Sequence, residues 1–562
     1  MPYHAGGIGM SATLTYLPSR SPDPGPGGGA NRWAVWRSPS DQPRWARPVL
    51  LGMAFVAMVL YAASLPFVDY APLYADAVKS MSGSWKAFFF GAVDAEATYT
   101  LDKLAGSFVP QAISAKIFGY HAWSLALPQV IEGVISVLVM YRVVRRWAGA
   151  VPGLLAAGIF AFTPVVASMF GHSMQDGLLT MCLVLAVDAY QRAVLEARLR
   201  SLVWAGVWIG LGFQAKMMQA WMILPALAIG YLLTAPIGRR LRLKHLGIAG
   251  VVMLAVSLSW VALYTFTPAG SRPYVSGSTN NSAVAMVFGY NGLGRVGIDL
   301  PGAADANGRN GPKVGPKAKE GPGSSGRPKV GPKAHGLPPI GAGQLGGPPG
   351  GDLSKVESRP DPMGWTKLFD GHLGVAIAWL FPLTVLSLIC GLRWWRRAER
   401  TDPVRGGLVM WGVWLATFGL VFSASAVAHT AYVASLAPAI AALSAIGIVM
   451  FWRAYQRGGK QAWLLPIAIA AELAWGAWLW SHYPNFLPWA KWGTLVLGTV
   501  ALALLILARV RENAPAALVK AGLVVGVTAM LAAPVTYAAS VIHPNYAGSS
   551  FDANAGPASG SA

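Results

Sequence analysis

The sequence predicts an all-α protein that crosses a membrane in about thirteen helices, each near the length that a bilayer requires. Of its 562 residues, 54% are hydrophobic and 12% are charged, whereas soluble domains carry roughly a quarter charged residues. The apolar runs are about 20 residues long, twice the length of a membrane-barrel strand. Because backbone groups in lipid must be paired within the segment, runs of this length have to be helices.

Basic residues follow the apolar runs in short clusters. They occur, for example, at residues 142–146, 239–244 and 393–405, and every second connection between spans is basic. This is the positive-inside pattern of a multispanning membrane protein. The net charge of +21 therefore gives no reason to expect a nucleic-acid partner.

The chain begins with a segment rich in Gly, Pro and Ser, residues 1–45, which predicts a disordered cytoplasmic tail. The first span, near residues 48–68, leads into a long outer loop, residues 69–121. We expect this loop to pack on the membrane surface as short amphipathic helices. Its polar side chains include the neighbours Asp102 and Lys103.

Residues 46–298 are predicted to form an amino-terminal membrane module that holds the catalytic groups. After the first outer loop, its spans lie near residues 123–141, 151–169, 178–190 and 248–266. Residues 202–233 are interrupted near GFQAKMMQ, which predicts a pair of shorter helices with Lys216 near their outer turn.

Residues 299–362 predict a disordered outer insertion, since Gly, Pro and Lys at this density cannot bury a core. It contains the near-duplicate GPKVGPKA and RPKVGPKA. Residues 363–540 then hold the remaining spans, and residues 541–562 predict a disordered outer tail. An odd number of spans places the amino terminus inside and the carboxyl terminus outside a bacterial cytoplasmic membrane.

A transferase that uses a lipid-linked sugar needs three features: a cation for the lipid phosphate, a carboxylate that deprotonates the acceptor hydroxyl, and a groove open to the bilayer. Lys103 can supply the first feature and a nearby Asp the second. The competing interpretation of Asp102 and Lys103 is a solvated surface pair. Lys216, in its helix break, could likewise reach a phosphate or simply the membrane interface.

Three other ionisable residues also allow two interpretations. Glu132 lies within a span, where it is either functional or paired with a buried cation. Asp188 could be functional in the same way, but its place beside Arg192 at the basic inner end of its span favours a snorkelling or paired structural role. His172 could bind a metal ion together with Asp102 or His429, although a lone His more often forms a surface hydrogen bond. The sequence holds no P-loop, dinucleotide-binding glycine pattern or HExxH motif, which argues against an ATP-driven pump.

Five collinear segments carry a family resemblance. They are YADAVKSMSGSWKAFFFGAVDAEATYTLDKLAGSF, TPVVASMF, GFQAKMMQAWMILPAL, RPYVSGSTNNSAVAMVFGYNGLGR and SASAVAHTAYVASLAPAIAALSAIG. In this order they resemble bacterial glycosyltransferases of the protein-mannosyltransferase and aminoarabinose-transferase type, which include ArnT-like and YkcB-like branches. The resemblance implies a GT-C fold, in which a helical membrane bundle carries catalytic groups in its outer loops, and a polyprenyl-phosphate sugar as donor.

The resemblance also implies roles for individual residues. Lys103 corresponds to the lysine that contacts the lipid phosphate, and Asp102 to an acidic neighbour that shapes the acceptor or metal site. Asp69 takes the position of the catalytic aspartate, with Asp76 as its substitute, and Asp176 is a further acidic catalytic candidate. The implied substrate-binding residues are Lys103, Lys216, Arg272, Tyr274, Asn280, Asn281, Tyr290, Asn291, His429 and Tyr432.

The chain departs from the family pattern at several of these sites. Two prolines that follow the family's lysine are Leu104 and Ala105 here, so the turn that presents Lys103 is less fixed. Further departures are Ala71, Ser173, Met174 and Ala431. They leave open whether catalysis is weakened.

The sequence thus predicts a glycosyltransferase that moves a hexosyl or pentosyl group from a polyprenyl-phosphate carrier to an envelope glycan, lipid or protein. A divalent metal ion is left open as a cofactor. The alternative is a catalytically inactive relative that binds or translocates a lipid-linked sugar.

Overall fold

A computed structural model describes residues 36–305, 364–427, 429–511 and 515–557. The predicted tail before residue 36 and most of the predicted insertion lie outside these ranges. The described residues form eighteen α-helices, short 3₁₀ and π turns, and only isolated β-bridges. This confirms the all-α prediction.

The helices are numbered in chain order. Their bounds are α1 Ala46–Ala62, α2 Tyr74–Gly83, α3 Trp85–Phe90, α4 Val109–Phe118, α5 Ala122–Ala148, α6 Ala150–Ala161, α7 Pro164–Met169, α8 Gln175–Glu196, α9 Leu199–Lys216, α10 Leu224–Thr234, α11 Arg239–Phe266, α12 Gly371–Ile377, α13 Phe381–Trp394, α14 Pro403–Ala424, α15 Ala437–Arg457, α16 Leu464–Ser481, α17 Pro488–Val510 and α18 Ala516–Ala539.

Ten helical segments of the described chain are long and apolar enough to cross a membrane, and the shorter helices α1 and α6 are also apolar. These segments confirm a polytopic membrane protein, while the count of thirteen spans stays a prediction. The segment that contains α15 is buried throughout its apolar window, whereas only 22% of the α11 window is buried. The centre of the bundle is therefore α15, whose many Ala, Ser and Gly residues let neighbouring helices approach closely.

The segment from Leu199 to Thr234 reverses direction, as the sequence predicted. Lys216, the last residue of α9, forms an ion pair with Asp176 in the first turn of α8. Gly230 of α10 lies instead against Tyr190, near the other end of α8. Since α9 runs toward one end of the bundle and α10 runs back, Lys216 lies at the turn between them.

The first loop folds as the short helices α2, α3 and α4, with the amphipathic character that the sequence predicted. The loop buries a separate apolar cluster that includes Val78, Leu101 and Phe108. Its opposite surface exposes large apolar side chains, among them Trp85 and Ile117, each 67% exposed. A two-sided surface of this kind is suited to the boundary between bilayer and water.

The first and last described segments lie at opposite ends of the bundle. Asp41 pairs with Arg145 over 2.6 Å, at the end that carries the arginine cluster of α5 and α8, hereafter the basic end. At the other end, residues 543–557 fold against the loops. The prediction of a disordered tail from residue 541 is wrong for these residues, because Ala547 and Ala553 are buried, at 1% and 0% exposure.

Candidate active site

The pair formed by Asp102 and Lys103 lies in a buried position of the first loop. The Lys103 Nζ is 2.7 Å from the Asp102 Oδ2, and the two residues are only 6% and 8% exposed. The interpretation as a solvated surface pair is therefore wrong. A buried ion pair is costly unless further polar groups support both partners.

Asn291 supplies that support from a distant part of the chain. Its Oδ1 accepts a hydrogen bond of 2.9 Å from the Lys103 Nζ, and its Nδ2 donates to the Asp102 carbonyl over 2.7 Å. The same Nδ2 also donates to the Met286 carbonyl. Asn291 thus fastens the first loop to the loop that follows α11, although it does not itself line the cavity.

A second acid–lysine pair joins Asp176 to Lys216. Asp176 is 3% exposed and Lys216 is 7% exposed, and Lys216 donates to the Asp176 Oδ2. The Lys216 Nζ also lies 3.9 Å from the centre of the Tyr432 ring, a favourable cation–π distance. Lys216 is therefore buried beside the cavity and does not extend to the membrane interface, which agrees with the first of its two interpretations, contact with a phosphate.

Both pairs face one cavity, which opens at the end of the bundle opposite the basic end. The residues that line it are Tyr74, Asp102, Lys103, Ser173, Met174, Gln175, Asp176, Lys216, Arg295, His429, Ala431, Tyr432, Ser550 and Phe551. Three cationic side chains thus meet two carboxylates. This arrangement favours an anionic ligand.

Each of the two carboxylates has one buried oxygen that is not paired with its lysine. The Oδ1 atoms of Asp102 and Asp176 have no hydrogen-bond partner among the described residues. A buried acceptor without a donor is costly. These atoms are therefore expected to meet a donor when a ligand binds.

Arg295 and Tyr290 extend the cationic side of the cavity. The Lys103 Nζ lies 5.6 Å from the centre of the Tyr290 ring, and the Arg295 guanidinium carbon lies 5.5 Å from the same centre. Both charges therefore lie beside one aromatic ring. Arg295 was missed by the sequence analysis, although it ends the quoted segment VFGYNGLGR.

The cations also determine the charge state of His429. Burial, with the positive charges of Lys216, Lys103 and Arg295, lowers the pKa of His429 from 6.5 to about 3. The imidazole is therefore neutral at ordinary pH and can accept or donate a hydrogen bond. Burial and the nearby Asp102 carboxylate raise the pKa of Tyr74, so its phenol stays protonated and can donate.

The predicted catalytic residues Asp69 and Asp76 lie in different places. Asp69 is exposed and does not line the cavity, but its carbonyl accepts a hydrogen bond of 2.8 Å from the hydroxyl of Ser550, which does. Asp76 is exposed on α2 and lies near Tyr120 rather than along the cavity. The structure therefore does not bring Asp76 to the site.

Four predicted substrate-binding residues instead shape the loop after α11. Arg272 Nη1 donates to the Asn281 Oδ1 over 2.6 Å, and Asn281 itself has a φ of 58°. The Tyr274 backbone bonds to Thr98 and Thr100, and Asn280 packs against Gly302. Arg272, Tyr274, Asn280 and Asn281 do not line the cavity. Their polar groups hold the loop that presents Asn291.

A metal centre finds little support in the site. The His172 Nδ1 lies 2.8 Å from the Ser168 carbonyl, and burial lowers the pKa of His172. The described ranges contain no group of three or more His, Cys, Asp or Glu residues that could hold a metal ion. Asp102 and Asp176 alone supply too few ligands for a typical site. We therefore assign no step to a metal ion.

Asp188 has the structural role that was expected, at the basic end. Its carboxylate pairs with Arg142, Arg146 and Arg192 at 2.6 to 2.7 Å. Glu132 lies deeper, where both it and Gln129 are close to Gly177 in the first turn of α8. Neither carboxylate lines the cavity.

Sequence comparison identifies related proteins. A family model described as dolichyl-phosphate-mannose-protein mannosyltransferase matches residues 107–262. The chain is 32% identical over 489 residues to the putative mannosyltransferase YkcB of Bacillus subtilis, which covers 79% of this chain and 67% of that protein. It is also 32% identical over 472 residues to YycA of the same organism, with 78% and 68% coverage.

Structure comparison gives a more distant likeness. ArnT from Cupriavidus metallidurans bound to undecaprenyl phosphate aligns with a TM-score of 0.49 and 17% sequence identity. The alignment covers 87% of this chain and 76% of that chain.

Proposed function

Because the chain belongs to the glycosyltransferase family that includes the putative mannosyltransferases YkcB and YycA, we propose that it transfers a mannosyl group from a polyprenyl-phosphate carrier to an acceptor hydroxyl. The predicted resemblance to ArnT-like and protein-mannosyltransferase enzymes is confirmed by these relatives and by the family match. The GT-C fold and the membrane glycosyltransferase activity that the sequence predicted agree with the membership of the chain in this family. The choice of a hexosyl donor rests on the relatives' names.

The observation that carries the proposal is the convergence of Lys103, Lys216 and Arg295 on one cavity. A polyprenyl-phosphate sugar has an anionic phosphodiester between its apolar chain and its sugar. Buried cations suit such a group because charge-assisted hydrogen bonds are strong away from water. Asp102 and Asp176 orient the two lysines and leave their Oδ1 atoms to accept from sugar hydroxyls.

The proposed step is a substitution at the anomeric carbon of the donor sugar. The bond from this carbon to the phosphate oxygen breaks, and its electron pair stays on the phosphate. Lys103, Lys216 and Arg295 stabilise the charge that builds there. The acceptor oxygen forms the new bond, and its proton passes to a carboxylate.

We assign that carboxylate to Asp69. It is exposed to water beside the cavity, because the cavity-lining residue Ser550 donates to its carbonyl. Asp102 and Asp176 are already engaged with lysines deeper in the cavity. In this proposal the cavity faces the outer side of the cytoplasmic membrane, and the basic end faces the cytoplasm.

The test compares Asp69→Asn with Asp76→Asn, two exposed acids in the same loop. The purified full chain in lipid nanodiscs is given radiolabelled undecaprenyl-phosphate mannose and cell-envelope membranes as acceptor. Loss of a general base typically lowers a rate by about 10² to 10⁴, so Asp69→Asn should lower kcat by this factor. Asp76→Asn should stay within about twofold of the wild type.

Three results would contradict the proposal. Equal activity of Asp69→Asn and wild type would exclude Asp69 as the base. Movement of labelled lipid across the bilayer, without any release of sugar, would support the inactive translocator instead. Cleavage of an aminoarabinose donor but not of the mannose donor would place the chain with pentosyl transferases.

A further inference from the structure

One rim of the cavity is built by residues 543–557, which we call the anchored loop. Its contributions to the cavity lining are Ser550 and Phe551. Phe551 is 43% exposed, whereas Lys103 and Lys216 across the cavity are 6% and 7% exposed. A large aromatic ring thus lies at the water-facing mouth, above a buried cationic floor.

Hydrogen bonds hold the anchored loop on both sides of Phe551. The Asp552 Oδ1 accepts from the Thr430 backbone N–H over 2.7 Å, and the Asp552 Oδ2 accepts from Asn554 over 2.9 Å. Ser550 donates to the Asp69 carbonyl over 2.8 Å. The loop is therefore fixed to the first loop and to the start of the central helical segment.

The backbone of the anchored loop also depends on one glycine. Gly548 has a φ of +82°, and a Cβ there would lie 2.6 Å from the Ser168 Oγ and 2.7 Å from the Asn554 backbone nitrogen. Ser168 in turn donates to the Ala547 carbonyl over 2.6 Å. This close approach, which only glycine permits, sets the position from which Phe551 extends.

The Phe551 ring has aromatic neighbours on the cavity side. Its centre lies 6.3 Å from that of Tyr74, with an angle of 21° between the planes. It lies 5.9 Å from the centre of His429, at 67°. These contacts restrict the rotation of the ring while its exposed part remains open to a ligand.

We propose that Phe551 is the platform for a sugar ring of the acceptor, so that the acceptor is a glycan or glycolipid rather than a serine or threonine side chain. This inference rests on the proposed function. The C–H groups on one face of a pyranose carry partial positive charge, and they complement the negative face of an aromatic ring.

Phe551 is exposed whereas the lysines are buried, and this difference assigns the platform to the acceptor rather than to the donor. The donor phosphate belongs at the buried lysines, while Phe551 and Asp69 are exposed to water. Ser550 ties the anchored loop directly to Asp69. The platform and the proposed base therefore lie on backbone segments that are bonded to each other, so that one acceptor can reach both.

The test uses a pair of substitutions that separate ring stacking from packing. Phe551→Leu keeps apolar bulk against Tyr74 but removes the ring, and Phe551→Trp keeps a ring. The full chain in nanodiscs receives undecaprenyl-phosphate mannose with either octyl α-mannoside or a serine- and threonine-rich hexapeptide as acceptor. We expect transfer to the mannoside, and an increase of about tenfold in its KM for Phe551→Leu, with wild-type-like values for Phe551→Trp.

The same assay measures sugar release into water, which needs no acceptor. For Phe551→Leu the ratio of transfer to release should fall about tenfold, whereas Phe266→Ala, at an 85% exposed Phe of α11, should leave this ratio at the wild-type value. An unchanged ratio for Phe551→Leu, an effect on the KM of the donor alone, or transfer to the peptide but not to the mannoside would each overturn the platform. A wild type that neither transfers nor releases sugar would instead overturn the proposed function.

Discussion

The two ends of the helix bundle each hold carboxylates among cations, and they differ in how fully those carboxylates are used. At the basic end, Asp188 is met by three arginines from α5 and α8. In the cavity, Asp102 and Asp176 each meet one lysine and keep one oxygen without a described partner. A satisfied carboxylate stabilises the fold, whereas one with spare capacity can orient a ligand.

The cations differ in the same way. The three arginine side chains around Asp188 are 22% to 45% exposed, while the side chains of Lys103 and Lys216 are 8% and 7% exposed. Water screens the first group and is largely excluded from the second. A phosphate would therefore gain more from the lysines than from the arginines.

The largest expected effect is on activity, and it should be confined to the cavity end of the bundle. Lys103→Ala removes a phosphate ligand and leaves Asp102 buried without its cation, so kcat/KM for the donor should fall by about 100-fold or more. The matched variant Arg146→Ala should stay within about twofold, since it lies at the other end. Steady-state assays of both variants with the mannose donor provide the measurement.

The second effect is on stability, and it concerns the basic end of the bundle. Asp188→Asn leaves three arginines facing one another, so the free energy of unfolding should fall. We expect a decrease of only about 1–2 kcal/mol, because water screens the repulsion between these partly exposed side chains. The loss is measured as a lower midpoint of thermal denaturation in detergent. Specific activity per folded molecule should match that of the wild type, and a large fall in it would contradict the purely structural role.

The third effect is a pH dependence of stability, which burial of His429 and the positive charges of the cavity create together. Its pKa of about 3 in the fold lies below the ordinary 6.5, so the unfolded chain takes up a proton that the folded chain does not. The free energy of unfolding is therefore highest above pH 6.5. It falls as the pH drops from 6.5 toward 3, by about 1.4 kcal/mol per pH unit.

The variant His429→Gln should flatten the dependence of stability on pH between 6.5 and 5, as followed by thermal denaturation. The exposed His543 offers a matched His→Gln control that keeps the wild-type slope. If both variants gave the same slope as the wild type, His429 would not be a neutral imidazole buried beside the cavity cations.

The sequence was informative where chemistry and chain order coincide. Asp102 and Lys103 are adjacent in the sequence, so their pairing was visible before their burial was known. The spans were visible because lipid imposes one length on every apolar run. The pairing of Asp176 with Lys216, 40 positions apart, was not visible, since it depends on the reversal after α9.

The anchored loop shows a different limit. Its Gly, Ser, Asn and Ala residues are typical of disordered segments, because such side chains bury little apolar area each. In the structure the loop is held by hydrogen bonds to backbone groups of distant segments, such as Thr430 and Asp69. Composition cannot reveal these partners, so Phe551 was missed.

The position of the anchored loop in the chain also bears on biosynthesis. It follows α18, so a ribosome reaches Phe551 only after every described membrane helix has been made. A nascent or truncated chain that stops before residue 543 would carry all three cavity cations but lack one wall. Under the proposed function, such an unfinished chain would keep the cations for a carrier lipid but would lack the platform for the acceptor.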